Sequence, residues 1–304
     1  MYQIFQITEQ DAESVEQLGT KPKFWYRDKD RQSYLFKESR LDTGEHWAEK
    51  VACELCELVG ILHAQYELAY FKDKKGVICL NFVPSAGELI HGNELLVERN
   101  EDYPMSRFYR VKEHTVESVL HTVDQQQAHP PIGWSKTDQI VSGTDVFVGY
   151  LMIDAWIANQ DRHHENWGLI RTKEKSMHLA PSYDHASSLG RNESDEKRKQ
   201  RLTEKGRDGR LLIESYIENA YTAFYASESS KRLKTIDAFK RAADRNRSAG
   251  KFWLNRLSNI SDSDVQTIFR MIPTSEITDV AIEFAQRMLT LNKTRLLEIG
   301  ANLL

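Results

Sequence analysis

The chain of 304 residues has little of what marks the specialised classes of protein. Three cysteines are too few for a disulfide framework. Seven prolines and fifteen glycines exclude collagen-like and low-complexity chains. No apolar run can span a bilayer: the most apolar stretch, residues 146–158, is short and carries Asp154. The opening Met1-Tyr2-Gln3-Ile4-Phe5-Gln6 lacks a basic segment leading into an apolar one, so no secretory signal is expected. Lys and Arg number 41 against 45 Asp and Glu, a net charge of −4. That leaves no cationic excess to displace counterions from nucleic acid or to hold an anionic membrane surface. The expectation is a protein of a reducing cytoplasm with no direct nucleic-acid and no membrane partner, secretion by a route that uses no cleaved signal being the alternative. What remains is an ordinary globular composition, 40% apolar and 28% charged, long enough for two domains or two joined lobes.

The first part of the chain reads as strand-rich. Phe24-Trp25-Tyr26 and Tyr34-Leu35-Phe36 flank the polar turn Asp28-Lys29-Asp30 and predict a hairpin. Residues 46–59 predict a helix. At about 100° per residue, Trp47, Ala48, Val51, Ala52, Leu55, Leu58 and Val59 share one arc. Lys50, Glu54 and Glu57 lie opposite, Glu49 falls at the edge, and Gly60 stops the helix. Residues 66–71 and 76–83 predict two further strands joined by a turn. Pro84-Ser85-Ala86-Gly87 then marks a boundary, dividing the chain into 1–83 and 84–304. Beyond it the periodicity is helical: a buried helix over 145–159, and helices over 210–226, 232–245 and 277–299, the last with a candidate break at Asn292. Between Arg191 and Arg210 thirteen of twenty residues are charged, with both signs mixed. That composition predicts a solvated, mobile loop. The outline is α+β and bilobal, a small β-rich lobe followed by a larger all-helical one with a cleft between.

The residues that carry chemistry concentrate in Asn159-Gln160-Asp161-Arg162-His163-His164-Glu165-Asn166. An Asp followed five residues later by an Asn has the spacing of a kinase catalytic loop, the Asp facing a hydroxyl and the Asn a Mg²⁺ ion. A second acid, Asp184, follows in Ala180-Pro181-Ser182-Tyr183-Asp184, where a metal-binding carboxylate is needed. Lys37 ends an apolar strand and is placed to reach phosphates. Glu49, twelve residues on, is placed to pair with it. Gly19-Thr20-Lys21 precedes the first hairpin strand as a loop that can cover phosphates, with neither G-x-G-x-x-G nor G-x-x-x-x-G-K-[ST] present there. Each element also has a bland reading: a polar turn after a helix, a lysine snorkelling at a strand end, a surface carboxylate. Two further patterns point elsewhere. Cys53-Glu54-Leu55-Cys56 is a C-x-x-C, but mid-helix rather than at a helix N-terminus, so it reads as core, with a zinc site alongside His63 and Cys79 as the alternative. His163, His164, His178 and His185 lie among aspartates, but no pair has the spacing to share a helix face, and His163 reads as a brace for its loop.

In this order the residues resemble the HipA-like serine/threonine kinases, toxins of bacterial toxin–antitoxin systems and their relatives. The resemblance runs over about residues 17–190. About eighteen residues precede Gly19, so the chain is similar to the minimal, HipT-type members that lack an extra N-terminal subdomain. The resemblance implies transfer of the ATP γ-phosphoryl group to a protein hydroxyl, with Mg²⁺ as cofactor. In the toxin members the acceptor is an aminoacyl-tRNA synthetase, and an antitoxin protein is the partner. By position it implies Asp161 as the catalytic residue and Asn166 and Asp184 as metal ligands. Gly19, Thr20, Lys21, Lys37, Glu49 and His163 would face ATP, and Asn81-Phe82-Val83 would be the hinge that reads adenine. Only Thr20 offers a hydroxyl inside the phosphate loop, which puts self-inactivation by autophosphorylation there in doubt. Two alternatives stay open: a kinase of small molecules or lipid headgroups, and a non-catalytic module of the same fold.

Overall fold

The computed structural model describes residues 1–8, 12–15, 22–107, 109–227 and 230–301. Six strands form the small lobe: β1 (Ile4–Ile7), β2 (Ala12–Val15), β3 (Lys23–Arg27), β4 (Ser33–Glu38), β5 (Tyr66–Phe71) and β6 (Lys74–Leu80). Their order is β1-β5-β6-β4-β3-β2. All pair antiparallel except β1, which runs parallel to β5. Alternation along β4 turns Phe36 into an aromatic cluster with Phe24 and Phe71, and Lys37 to the other face.

Helix α1 (Glu45–Val59) crosses the Lys37 face and is buried along nearly its whole length. It starts where Gly44 lets the Trp47 indole close on the backbone: a Cβ there would collide with the indole ring. It ends at Gly60 in the left-handed region, φ 78°. Two residues depart from the expected arc. Leu58 lies at the exposed edge, while Lys50 is buried. Its ammonium meets Glu54 at 2.7 Å and Glu67 at 2.8 Å and lies 4.5 Å from the Tyr2 ring centroid. Periodicity assigned α1 one covered face, but the first residues of the chain and β5 cover a second, and the ion pairs keep the buried charge satisfied.

The larger lobe is built round α4 (Gly143–Ile157), buried at all fifteen positions and apolar round its circumference, as a central helix must be. Ser142 and Asp145 cap each other across its first turn. Around it pack α2 (Gly92–Arg99), α3 (Val116–Gln125), α5 (Asp195–Thr203), α6 (Leu212–Glu218), α7 (Thr235–Arg245), α8 (Arg247–Ser258), α9 (Asp262–Met271) and α10 (Asp279–Ala301). α10 runs unbroken through Asn292, whose buried amide donates to the Trp156 carbonyl at 3.1 Å. The lobe is not all-helical. A three-stranded sheet of β7 (Glu88–His91), β8 (Gly168–Arg171) and β9 (Met177–Leu179), and a hairpin of β10 (Tyr221–Tyr225) and β11 (Arg232–Lys234), are set into it. The aromatic alternation of 221–225 is strand-like, and the hairpin gains a bridge from Tyr225 to Thr115, a non-local pairing that helical periodicity does not register. The segment 191–210 also departs from expectation by holding helix α5. Arg198 is buried there, its guanidinium 5.9 Å from the Trp47 ring, and Arg201 pairs with Glu193 at 2.8 Å. Arginine stems bury apolar surface although their heads count as charge.

One hydrophobic cluster runs from Trp47 and Val51 of α1 through α4 to Leu289 of α10, so the two lobes share a core. A buried carboxylate reinforces the join. Glu276, between α9 and α10, accepts from Tyr70 at 2.6 Å and Ser275 at 2.7 Å, and lies 3.1 Å from Lys75 Nζ and 3.2 Å from His46 Nε2. Burial alone would raise its pKa, but these donors hold it well below the usual carboxylate range. Glu276→Gln should lower stability at neutral pH by about 1.5–3 kcal/mol, measured by denaturant titration. A depressed pKa stabilises above the unfolded value of about 4.3 and is lost as pH falls through the folded value. The gap between native and variant should therefore narrow below about pH 4. A gap that is absent, or that widens in acid, would contradict the clamp.

Candidate active site

The C-terminal end of α4 supplies the catalytic-type loop. Ala158 adopts φ 54° and stops the helix, and residues 159–167 lead into β8. Asp161 is pinned from several sides. Its amide donates to Asn159 Oδ1 at 3.2 Å, its carbonyl accepts from Asn166 Nδ2 at 2.7 Å, and Oδ2 accepts from Ser187 Oγ at 3.4 Å. His163 takes up the Glu165 amide on Nδ1 at 3.1 Å, and burial lowers its pKa to about 4, so it is a neutral brace at physiological pH.

Beneath the loop lies a network that residue spacing does not reveal. Asp154, one turn from the end of α4, forms a two-pronged pair with Arg162, at 2.7 Å to Nε and 2.8 Å to Nη2, both groups buried. Asp154 also accepts from Asn159 Nδ2 at 2.8 Å. Arg162 then donates to the carbonyls of Asn166 at 2.9 Å and Tyr183 at 3.2 Å and to Ser182 Oγ at 3.0 Å. One guanidinium thus ties the loop of Asp161 and Asn166 to the segment of Asp184. The available signal was Asp154 itself, a charge inside an apolar run that must find a buried partner.

Asp184 follows β9 in the left-handed region, φ 59°, which Asp tolerates better than most residues. Its amide donates to Tyr66 Oη at 3.2 Å, and Lys37 Nζ donates to the same hydroxyl at 3.2 Å. Lys37 Nζ lies 3.6 Å from Asp184 Oδ1. Burial works to lower the lysine pKa, but Asp184 and Glu49 outweigh it and raise the value, so the ammonium stays charged. Among the described residues the expected Lys37–Glu49 ion pair is not formed. Glu49, fully buried, instead accepts from the amides of His185 at 2.7 Å and Ala186 at 2.9 Å. Fixed amide donors satisfy its carboxylate, and it acts on Lys37 only through space. Tyr66, absent from the sequence-based set, is the group that links Lys37 to Asp184.

These groups front one cavity of about 330 Å³ between the lobes. Lys37, Asp161, His163, Asn166 and Asp184 line one end, and Asn81, Phe82 and Val83 the other. Phe82 stacks on Tyr183, ring centroids 5.7 Å apart. Two amides of the expected hinge are engaged within the chain: Asn81 N–H donates to Ser33 O at 2.9 Å, and Val83 N–H to Asn81 Oδ1 at 3.0 Å. Glu49 stands behind the cavity. Gly19, Thr20 and Lys21 lie outside the described residues. Asp184 and Asn166 offer one carboxylate and one amide oxygen, a hard donor set of the kind Mg²⁺ uses when phosphates and water complete its shell.

The other two patterns do not converge on a site. Cys53, Cys56 and Cys79 are buried, and burial pushes the Cys53 and Cys79 thiols up to about 12. Cys53 Sγ lies 3.4 Å from His63 Nδ1, but among the described residues no group of three His, Cys, Asp or Glu side chains is set to hold a metal. His178 bonds the Pro130 carbonyl, away from His185 beside Glu49. Among the described residues no helix is long and apolar enough to cross a membrane.

Comparison with known proteins agrees with this geometry. The family model described as HipA-like C-terminal domain matches residues 16–249. The serine/threonine-protein kinase CtkA of Helicobacter pylori strain J99 is 27% identical over 149 residues, 47% of this chain and 40% of that protein. The match thus spans less than half the length of this curated relative. The crystal structure of the Helicobacter pylori proinflammatory kinase CtkA superposes with a TM-score of 0.75 at 19% identity, covering 99% of this chain and 98% of that one. HipA, in its complex with HipB and operator DNA from Shewanella oneidensis MR-1, superposes with a TM-score of 0.57 at 12% identity, covering 96% of this chain and 68% of that one. At these identities the structural matches speak to the fold.

Proposed function

The chain belongs to the HipA-like C-terminal domain family, and on that premise we propose that it is an ATP-dependent kinase of protein serine or threonine hydroxyls. The observation that carries the reading is the convergence of Lys37, Asp161, Asn166 and Asp184 on one inter-lobe cavity. Lys37 would neutralise charge on the α- and β-phosphates, and Tyr66 and Asp184 hold its ammonium in place. Asn166 and Asp184 would hold Mg²⁺, which supplies charge neutralisation on the phosphates when bound. Asp161 would accept or orient the proton of the incoming hydroxyl. Adenine would stack against Phe82 at the far end. With the Asn81 and Val83 amides engaged, its edge would use the remaining backbone groups of that segment. The lobes would divide near residue 83. Likeness to CtkA favours a protein acceptor over a small molecule, and likeness to HipA of a toxin–antitoxin system favours a toxin role with an antitoxin partner. An aminoacyl-tRNA synthetase as acceptor and a cytoplasmic location belong to the proposal as extensions of the family resemblance.

The test is transfer of label from γ-labelled ATP to proteins of a bacterial lysate, with Mg²⁺ and with chelator. Labelled Ser or Thr that needs Mg²⁺, together with growth arrest on expression, supports the reading. A chain that binds ATP but labels nothing, itself included, would instead be a non-catalytic module.

A further inference from the structure

A second cavity of about 440 Å³ opens on the other side of Asp161. Asp161, His163 and Tyr109 line both cavities, so a group entering from the second side meets the same carboxylate that faces the first. We infer that this second cavity is the acceptor cleft, and that Arg110 and Arg232 select a hydroxyl flanked by acidic side chains; the inference rests on the kinase reading.

Its charge pattern is the argument. Arg110, Arg232, Gln160, Tyr225 and the histidines 114, 163 and 164 surround the opening, and Asp161 is the one acid among the described lining residues. The three histidines are committed within the chain: His163 Nδ1 accepts from the Glu165 amide at 3.1 Å, His114 Nε2 accepts from Trp167 Nε1 at 3.2 Å, and His164 Nδ1 meets Tyr103 Oη at 2.8 Å. Two permanent cations therefore flank the single carboxylate that the reaction needs. A hydroxyl delivered to Asp161 brings its chain neighbours against those guanidiniums. Carboxylates suit them, because the planar guanidinium fork donates two parallel hydrogen bonds that the two carboxylate oxygens accept.

Backbone structure holds both arginines. Arg232 opens β11 in register with Tyr225, and its guanidinium lies 5.7 Å from the Tyr221 ring. The hairpin is fastened by the Tyr225 amide, which donates to the His114 carbonyl at 2.9 Å. Arg110, at φ 61°, precedes the His114 segment on the same wall. Both residues are exposed, and neither is assigned a part in the phosphoryl transfer itself. Their effect is on which acceptor enters.

The test uses serine peptides of equal length flanked by Asp, Asn or Lys, with the whole chain and Mg·ATP. Each exposed charge pair is weak, so Asp-flanked peptides should exceed Asn-flanked ones in kcat/KM by about five- to tenfold, with Lys-flanked ones lowest. R110E/R232E should reverse that order, and R110K/R232K should keep it. Phosphoserine flanks report whether a phosphate replaces the carboxylate; a preference for them with none for Asp would overturn the acidic-residue assignment. Equal kcat/KM for Asp and Asn peptides, or an acidic preference that persists in R110E/R232E, would overturn the cleft. So would a chain that hydrolyses ATP yet labels no peptide. ATP hydrolysis without peptide is read separately, and its absence together with absent transfer would overturn the kinase reading itself.

Discussion

An Asp161→Ala protein should bind ATP nearly as tightly as the native chain and transfer the phosphoryl group about 10²–10⁴-fold more slowly, the usual scale for a positioned acid–base group. The geometry separates the two effects. Asp161 stands where the two cavities meet, and among the described residues the ion pair of Lys37 is with Asp184 rather than with Asp161. The loop around it is held through its backbone by Asn159 and Asn166, contacts an alanine keeps. Lys37→Ala should differ by weakening both nucleotide binding and turnover, because its ammonium lines the nucleotide-type cavity. Calorimetric ATP titration with initial rates of label transfer distinguishes them. Transfer at the native rate by Asp161→Ala would sink the mechanism.

Arg162→Ala and Asp154→Ala should each lower stability by about 3–5 kcal/mol, since each leaves its partner's charge buried and unpaired. Removing the guanidinium also strips donors from the Asn166 and Tyr183 carbonyls. Stability and positioning can be told apart with the double variant Asp154→Leu with Arg162→Met. It removes both charges and should recover most of the lost stability, as apolar replacement of a buried pair commonly does. Activity should not return, because the guanidinium that joins the Asn166 carbonyl to the Tyr183 carbonyl and Ser182 is then missing. Denaturant titration and transfer rates on the same samples give both answers. Single variants that lose less than about 1 kcal/mol, or a double variant with native activity, would remove Arg162 as a positioning residue.

Where a pattern is local, it was readable in the residues. The hairpin of β3 and β4, helix α1 with its Gly60 stop, and central α4 follow from alternation, periodicity and caps that act within a few residues. Lys37, Asp161, Asn166 and Asp184 stood out by order and spacing, which one strand, one loop and one turn hold in place. The sequence by itself therefore determined the two-lobe outline and the identity of the groups that face the cleft. Partnership was another matter. Only the tertiary structure gave Glu49 to the His185 and Ala186 amides, Lys37 to Asp184 and Tyr66, and Asp154 to Arg162. It also paired β1 with β5, made a hairpin of β10 and β11, and packed the charged segment as α5. The reason is that a buried ionisable group is governed by the donors and charges that surround it after desolvation. Those neighbours come from segments far apart along the chain, 137 residues for Glu49 and Ala186 and 206 for Tyr70 and Glu276, distances over which no periodicity or spacing carries information.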